Sequence, residues 1–242
     1  MRSIRTLATA LLLATALSPA AALAQDQRPR EPVIVVSGEG DAAVAPDLAI
    51  VSLGVTETRK TAREALDVTN AAMTAVIDAL RKEGIAPRDL QTSGLSIQAQ
   101  YSYPQNEDGT PRPPVLTGYM VSNTLTARVR DLTRVGAVID AAVTLGVNQG
   151  GDIRFTNDDP AQTVTKARGA AVRNAIDKAR TLADAAGVKL GRILEITEAG
   201  TPDMPRPMMS ARMAKESADA VPVEAGENSY AVNVNVTFAI DP

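Results

Sequence analysis

The sequence predicts an α+β fold with two related strand–helix–strand halves, in which long helices pack on antiparallel sheet. Two long segments carry apolar residues at helical spacing, and several others alternate apolar and polar residues as strands do. The order strand, long helix, strand occurs twice, and one common offset aligns Met73 with Ile176 and Leu90 with Ile193. This repeat suggests two halves that share a sheet, and because there is no third copy it is not a solenoid.

The first half is predicted to begin with two β-rich segments, residues 33–37 and 48–58. Gly38-Glu39-Gly40 follows the first of them. This tripeptide lacks the full spacing of a phosphate-binding loop, so we expect it to form a turn between two strands.

The first long helix is predicted to begin after Thr61 and to stop at Gly84. Thr61 and Glu64 have the spacing of a capping box, and glycine is the usual residue just beyond a helix. The apolar positions fall on one face, as expected for a helix that covers a sheet. They are Ala62, Ala65, Leu66, Met73, Val76, Ile77 and Leu80.

A long β-hairpin is predicted at about residues 90–130, with strands at 90–103 and 116–130 and a loop of turn-forming residues between them. Tyr101 and Tyr103 end its first strand and suit either an interface contact or an ordinary strand surface. A short helix is expected after Asp131, followed by a strand at 147–155 in which Gly150 and Gly151 suggest a bulge.

The second long helix is predicted to be capped by Asp158 or Asp159, with Pro160 in its first turn and Gly187 at its end. Asp158 and Asp159 could also be read as a metal-binding pair, but helix capping explains them better. The helix is rich in alanine, which allows close packing, most simply within one chain. Strands are expected at residues 188–197 and 230–240, and the second has the clearest alternation in the chain.

The N-terminus has the features of a secretory signal peptide. Arg2 and Arg5 precede a short apolar run, and Ala22-Leu23-Ala24 provides a cleavage signal. We expect residues 1–24 to be removed, residues 25–32 to form a flexible leader, and residues 33–242 to form the folded domain. The apolar run is shorter than the roughly 20 residues that cross a bilayer, and no later segment is long and apolar enough to do so. These features predict a periplasmic protein without a transmembrane segment.

The amino-acid composition excludes several kinds of catalytic and metal-binding site. The chain has no histidine and no cysteine, so it lacks the commonest general base, thiolate metal ligands and disulfides. Its net charge of −3 argues against binding to nucleic acid. Neither a G-x-S-x-G nor an S-x-x-K motif is present. We therefore expect a protein that is not an enzyme, with no catalytic residues and no cofactor.

A Met- and Pro-rich loop is predicted at about residues 200–227, and we expect it to be mobile. Its thioethers are candidate ligands for Cu(I) and candidate sites of reversible oxidation. The simpler interpretation is that these side chains pack loosely on a partner subunit. The candidate metal ligands are Met204, Met208, Met209 and Met213.

Short segments in a particular order resemble the SIMPL-domain family of bacterial envelope proteins across about residues 34–240. Members often have proline where this chain has Ala225, which affects only local loop stiffness. The segments are Val36-Ser37-Gly38-Glu39-Gly40, Ala45-Pro46-Asp47, Val51-Ser52-Leu53-Gly54-Val55, Leu90-Gln91-Thr92-Ser93-Gly94-Leu95, Gly118-Tyr119, Ser122-Asn123-Thr124, Val129-Arg130-Asp131-Leu132, Ile153-Arg154-Phe155 and Ala185-Ala186-Gly187-Val188-Lys189-Leu190-Gly191.

The resemblance implies an α+β fold, self-association in some members, and roles in envelope stress or oxidant tolerance. It supplies no catalytic set. Together with the residues, it predicts a non-enzymatic homo-oligomer that binds or scaffolds through sheet edges and the hairpin at 90–130. The alternative function is handling of oxidants or Cu(I) by the Met-rich loop. Whether the protein stays free in the periplasm or touches the outer membrane peripherally is left open.

Overall fold

The computed structural model describes residues 31–200, 206–208 and 223–241. It confirms an α+β fold, and its strands and helices lie in one compact unit that starts at Val33. Two short 3-10 turns, Pro87–Asp89 and Leu132–Arg134, precede β3 and α2. The elements are β1 Val33–Val44, β2 Leu48–Arg59, α1 Ala62–Lys82, β3 Leu90–Ser102, β4 Val115–Val129, α2 Val135–Thr144, β5 Gln149–Thr156, α3 Ala161–Ala186, β6 Lys189–Glu198, β7 Arg206–Met208 and β8 Glu227–Asp241.

The described strands form two antiparallel sheets. The hairpin sheet has the order β3-β4-β2-β5, and the terminal sheet has the order β1-β8-β6, with β7 also paired to β8. The prediction of one shared sheet is therefore wrong. Consecutive strands β1 and β2 enter different sheets, because β1 pairs with β8 at the far end of the chain. Local alternation identifies strands but cannot report a pairing between such distant segments.

The hairpin sheet is covered by α1 and α2. The predicted capping box is confirmed: the Glu64 amide donates to Thr61 Oγ1 over 3.2 Å, and the Thr61 amide donates to Glu64 Oε2 over 3.3 Å. The apolar faces of β2 and β4 meet these helices in a core without a buried aromatic ring. Its buried members are Ala49, Val51, Leu53, Val55, Met73, Val76, Leu80, Leu125, Ala127, Val129, Val135, Val138, Ala142 and Val147.

The terminal sheet packs against an alanine stripe on α3, so the close packing expected of this helix occurs within the chain. Gly38 and Gly40 lie inside β1, and the turn predicted for Gly38-Glu39-Gly40 is therefore wrong. A Cβ on Gly38 would lie 2.1 Å from the Ala171 carbonyl oxygen, and one on Gly40 would lie 2.3 Å from the Ala167 carbonyl oxygen. These glycines bring strand and helix backbones into close contact. The buried stripe is Ala167, Ala171, Ala175, Ala179 and Ala183.

The predicted bulge in β5 is confirmed, because the register with β2 shifts between Val51 and Leu53, where Gly150 and Gly151 adopt positive φ angles of 126° and 112°. Within the segment expected to be a loop at 200–227, a short strand, Arg206–Met208, pairs with β8. The predicted signal peptide at 1–24, most of the leader at 25–32 and most of the Met-rich loop lie outside the described residues.

Candidate interaction surface

Strand β3 forms a free edge of the hairpin sheet. It pairs with β4 along one side, and nearly all of its residues are exposed. Its sequence contains neither a charged residue nor a proline. Natural proteins protect edge strands with charges, prolines, bulges or covering segments, because open main-chain groups are templates for pairing. β3 has two register shifts, between Thr92 and Gly94 and between Gln100 and Tyr101, and a regular stretch between them.

An apolar stripe runs along this edge. Leu95, Ile97 and Tyr101 are 58, 50 and 51 % exposed, and Tyr103 just beyond the strand is also exposed. Leu95 and Ile97 pair with Asn123 and Val121 of β4, so their side chains lie on the same face of the sheet. This is the face that α1 covers on β4 and β2. The stripe therefore continues the core face of the sheet into solvent. An apolar continuation of this kind is typical of an interaction surface.

The other described edge strands of the two sheets carry charges. β1 contains Glu39 and Asp41, and β5 contains Asp152 and Arg154 beside its bulge. The fourth, β6, contains lysine, arginine and glutamate residues. The short strand β7, which pairs with β8, contains Arg206 and Pro207. Among the described edge strands, β3 is thus the one without charged residues.

The tip of the β3–β4 hairpin is an ordered turn. The Asn106 amide donates to the Thr110 carbonyl over 2.9 Å, and Asp108 Oδ1 accepts from both the amide and the hydroxyl of Thr110. The hydrogen bonds from Thr110 hold the pKa of Asp108 below its usual range. The hairpin therefore projects as a defined arm rather than as a loose loop.

A buried polar group lies at the base of the stripe. Asn123 is 9 % exposed, and its side-chain oxygen has no hydrogen-bond partner among the described residues. Its cross-strand neighbours are Val55 of β2 on one side and Leu95 of β3 on the other. A buried acceptor without a hydrogen-bond partner destabilises the folded state. A donor placed within reach of the Asn123 oxygen would therefore stabilise the protein.

A cluster of charges joins the outer face of β4 to the start of α3. Asp158 accepts from Arg128 over 2.5 Å and from Arg130 over 2.6 Å, and Arg130 also donates twice to the buried carboxylate of Asp89. The hydrogen bond from Arg130 holds the pKa of Asp158 below its usual value. Hydrogen bonds to Asp89 and then to Asp158 raise the pKa of Arg130. These contacts tie β4 to the start of α3.

The cap predicted at Asp158 or Asp159 is wrong, because the N-cap residue of α3 is Pro160, whose side chain has no acceptor. Asp159 lies one residue earlier and accepts from the Ala161 amide over 3.0 Å. Asp158 has a different role, because its carboxylate binds the two arginines. This pairing was not predicted; the signal that could have indicated it is the spacing of Arg128 and Arg130, which places both side chains on one face of the strand. Among the described residues, no group of three or more His, Cys, Asp or Glu side chains could hold a metal ion.

Asn157 connects the two sheets. Its side-chain nitrogen donates to the Ala45 carbonyl over 2.8 Å, and its oxygen accepts from Asn228 and from the Tyr230 hydroxyl. Burial raises the pKa of Tyr230. Asn157 and Asp158 lie in the connection between β5 and α3. Asn157 binds β8 of the terminal sheet and Asp158 binds the arginines of the hairpin sheet, so this connection contacts both sheets.

Of the candidate metal ligands, Met204, Met209 and Met213 lie outside the described residues. Met208 ends β7, and nothing is described of its side chain. The metal-site hypothesis therefore stays a prediction. Within the described part of the chain, no helix is both long enough and apolar enough to cross a membrane.

Comparison with known proteins agrees with the resemblance seen in the sequence. The profile of the SIMPL family, described as a protein of unknown function, matches residues 34–238. The chain is 48 % identical over 235 residues to the 26 kDa periplasmic immunogenic protein of Brucella melitensis, covering 95 % of this chain and 94 % of that protein. It is 30 % identical over 223 residues to the uncharacterized protein YggE of Escherichia coli K12, covering 90 % and 87 %. The chain therefore belongs to the SIMPL family.

Proposed function

We propose that this chain is a self-associating protein of the periplasm that acts by binding and scaffolding rather than by catalysis. The observation that carries the proposal is the β3 edge, which is long, uncharged and lined by exposed Leu95, Ile97 and Tyr101. Pairing of this edge with a second copy would satisfy its open main-chain groups and bury the apolar stripe.

The periplasmic location rests on two supports. The first 24 residues have the pattern of a signal peptide, and a relative with 48 % identity is named as a periplasmic protein. A role in envelope stress or oxidant tolerance is the physiological setting that we propose for the assembly. The absence of imidazole and thiol from the whole chain favours action through shape and surface.

The test uses the full gene product purified from the periplasmic fraction. N-terminal sequencing should begin at Gln25, and multi-angle light scattering at micromolar concentration should give several times the monomer mass. Ile97→Lys places a charge on the edge and should convert the assembly to monomer. Val143→Lys makes the same change at a comparably exposed apolar site on α2 and should leave the mass unchanged.

Two results would contradict the proposal. A strictly monomeric wild type would remove self-association. A wild-type assembly that survives Ile97→Lys would show that β3 is not the surface. Far-UV circular dichroism of each variant should match the wild type, because both substituted side chains are half-exposed.

A further inference from the structure

The free edge of β1 is capped along only part of its length. β1 pairs with β8 in an unbroken register from Val33 to Val44. Main-chain groups of alternate residues point to opposite sides of a strand, so the odd-numbered residues present theirs to the free edge. Two α3 side chains meet them: Asn174 Oδ1 accepts from the Glu39 amide over 3.1 Å, and Lys178 Nζ donates to the Ser37 carbonyl over 2.9 Å.

The first residues of the same edge have no partner in the part of the chain that the structure describes. Val33 and Val35 face the free side with their main-chain groups, and no described residue outside β1 pairs with those groups. Their side chains are 42 and 63 % exposed on the sheet face away from α3. The edge is thus closed at Ser37 and Glu39 and available immediately before them.

A groove of about 500 Å³ lies beside this part of the strand, between β1 and one face of α3. Val36 and Leu182 supply its apolar surface. Asp177 pairs with Arg180 over 3.5 Å, whereas the Lys178 ammonium has no carboxylate partner among the described residues. The groove is therefore lined by apolar side chains and by two charges, Asp177 and Lys178. Of these two, Asp177 is the one with a charged partner among the described residues.

We propose that β1 and this groove bind an extended polypeptide segment, which adds to the sheet as a strand beside Val33 and Val35. Its main chain supplies the donors and acceptors that the open edge lacks. One side chain rests on Val36 and Leu182, and a nearby acidic side chain faces Lys178. Main-chain pairing combined with pockets for alternate side chains is the established physics of strand addition. The site is separate from the β3 edge, so it does not depend on self-association.

The probe is a pool of short fluorescein-labelled peptides in which valine, leucine or phenylalanine alternates with threonine, flanked by glutamate. Fluorescence anisotropy should show saturable binding to the wild-type protein. The same pool with lysine in place of glutamate should bind several-fold more weakly. A pool N-methylated at alternate residues should lose binding, because N-methylation removes the main-chain donors on which strand pairing depends.

The protein variants separate the edge from the groove. Val35→Pro removes an outward amide while leaving the pairing with β8 intact, and should weaken binding at least tenfold; Val35→Thr keeps the amide and should bind as the wild type. Leu182→Glu changes a half-exposed groove residue and should also weaken binding, whereas Leu182→Met should not. Ile97→Lys should bind the peptides normally.

Three outcomes would overturn the inference. No binding to the wild type, or equal binding by Val35→Pro, would show that the edge does not accept a strand. A third outcome is that Val35→Pro dissociates the homo-oligomer while the peptides fail to bind the wild type. In that case β1 pairs with a second copy of the chain, and the proposed partner is wrong. Loss of assembly in Ile97→Lys with intact peptide binding would leave the two surfaces independent, as proposed.

Discussion

Replacing Gly38 with alanine tests the close contact between β1 and α3. The new Cβ would lie 2.1 Å from the Ala171 carbonyl oxygen and 2.7 Å from Ala175 Cβ. An ordinary contact is about 3.5 Å, so strand and helix would have to separate by about 1.4 Å. The nearest atom belongs to the backbone of a 26-residue helix and cannot rotate away. Overpacking should therefore cost about 3 kcal/mol, the upper part of its usual range.

Part of that cost is offset, because alanine reduces the freedom of the unfolded chain by about 0.5–1 kcal/mol relative to glycine. The net destabilisation should be about 2 kcal/mol, or about 4–8 °C in Tm for a chain of this size. Urea unfolding and differential scanning calorimetry measure both quantities. Gly94→Ala is the matched control: its Cβ would meet nothing closer than Thr124 at 3.9 Å, so stability should stay the same or rise by up to about 1 kcal/mol. Equal stability of Gly38→Ala and wild type would refute the contact.

Two further predictions concern the charge cluster and the methionines. Because the folded state holds the pKa of Asp158 below 3.8, its stabilising contribution is present above that pH and is lost as the pH falls through the lower value. Asp158→Asn should therefore flatten the acid limb of the unfolding free energy below about pH 4, and an unchanged slope would contradict the pairing. Replacing Met204, Met208, Met209 and Met213 with isoleucine tests the Cu(I) hypothesis by competition titration. We expect equal affinities, because ordering a site from a loop weakens binding, whereas loss in the variant alone would establish the methionine site.

Local signals in the sequence were enough to predict most elements. The capping box at Thr61, the alternation of residues 230–240 and the glycine at 187 each depend on neighbours within a few residues, and each is confirmed. The hairpin at about residues 90–130 was predictable for the same reason. The lack of charged residues in its first strand, β3, was also visible in the sequence. Its edge position was not, because that depends on which strands lie beside it.

The errors arose where a residue's role depends on a distant partner. Gly38 and Gly40 were expected in a turn because glycine usually marks one, yet here α3, more than a hundred residues later, requires the missing Cβ atoms. Asp158 was expected at a helix start, but Arg128 and Arg130 compete for its carboxylate. In both cases tertiary contact overrode a correct local tendency.

The edge strands differ in their charges and caps, and these differences affect which polypeptide segments can pair with each edge. An edge without any protection pairs with many chains, whereas a fully protected one pairs with none. Here β5 and β6 carry charges, and β1 is capped by Asn174 and Lys178 at Ser37 and Glu39. Among the described strands, none pairs with the outer side of β3, which has two register shifts, or with the outer side of β1 before Ser37. Because the β3 edge is uncharged and apolar while the β1 edge adjoins a groove with a lysine, the two surfaces favour chemically different segments. We therefore expect that the proposed self-association at β3 and the proposed strand binding at β1 do not compete for the same edge.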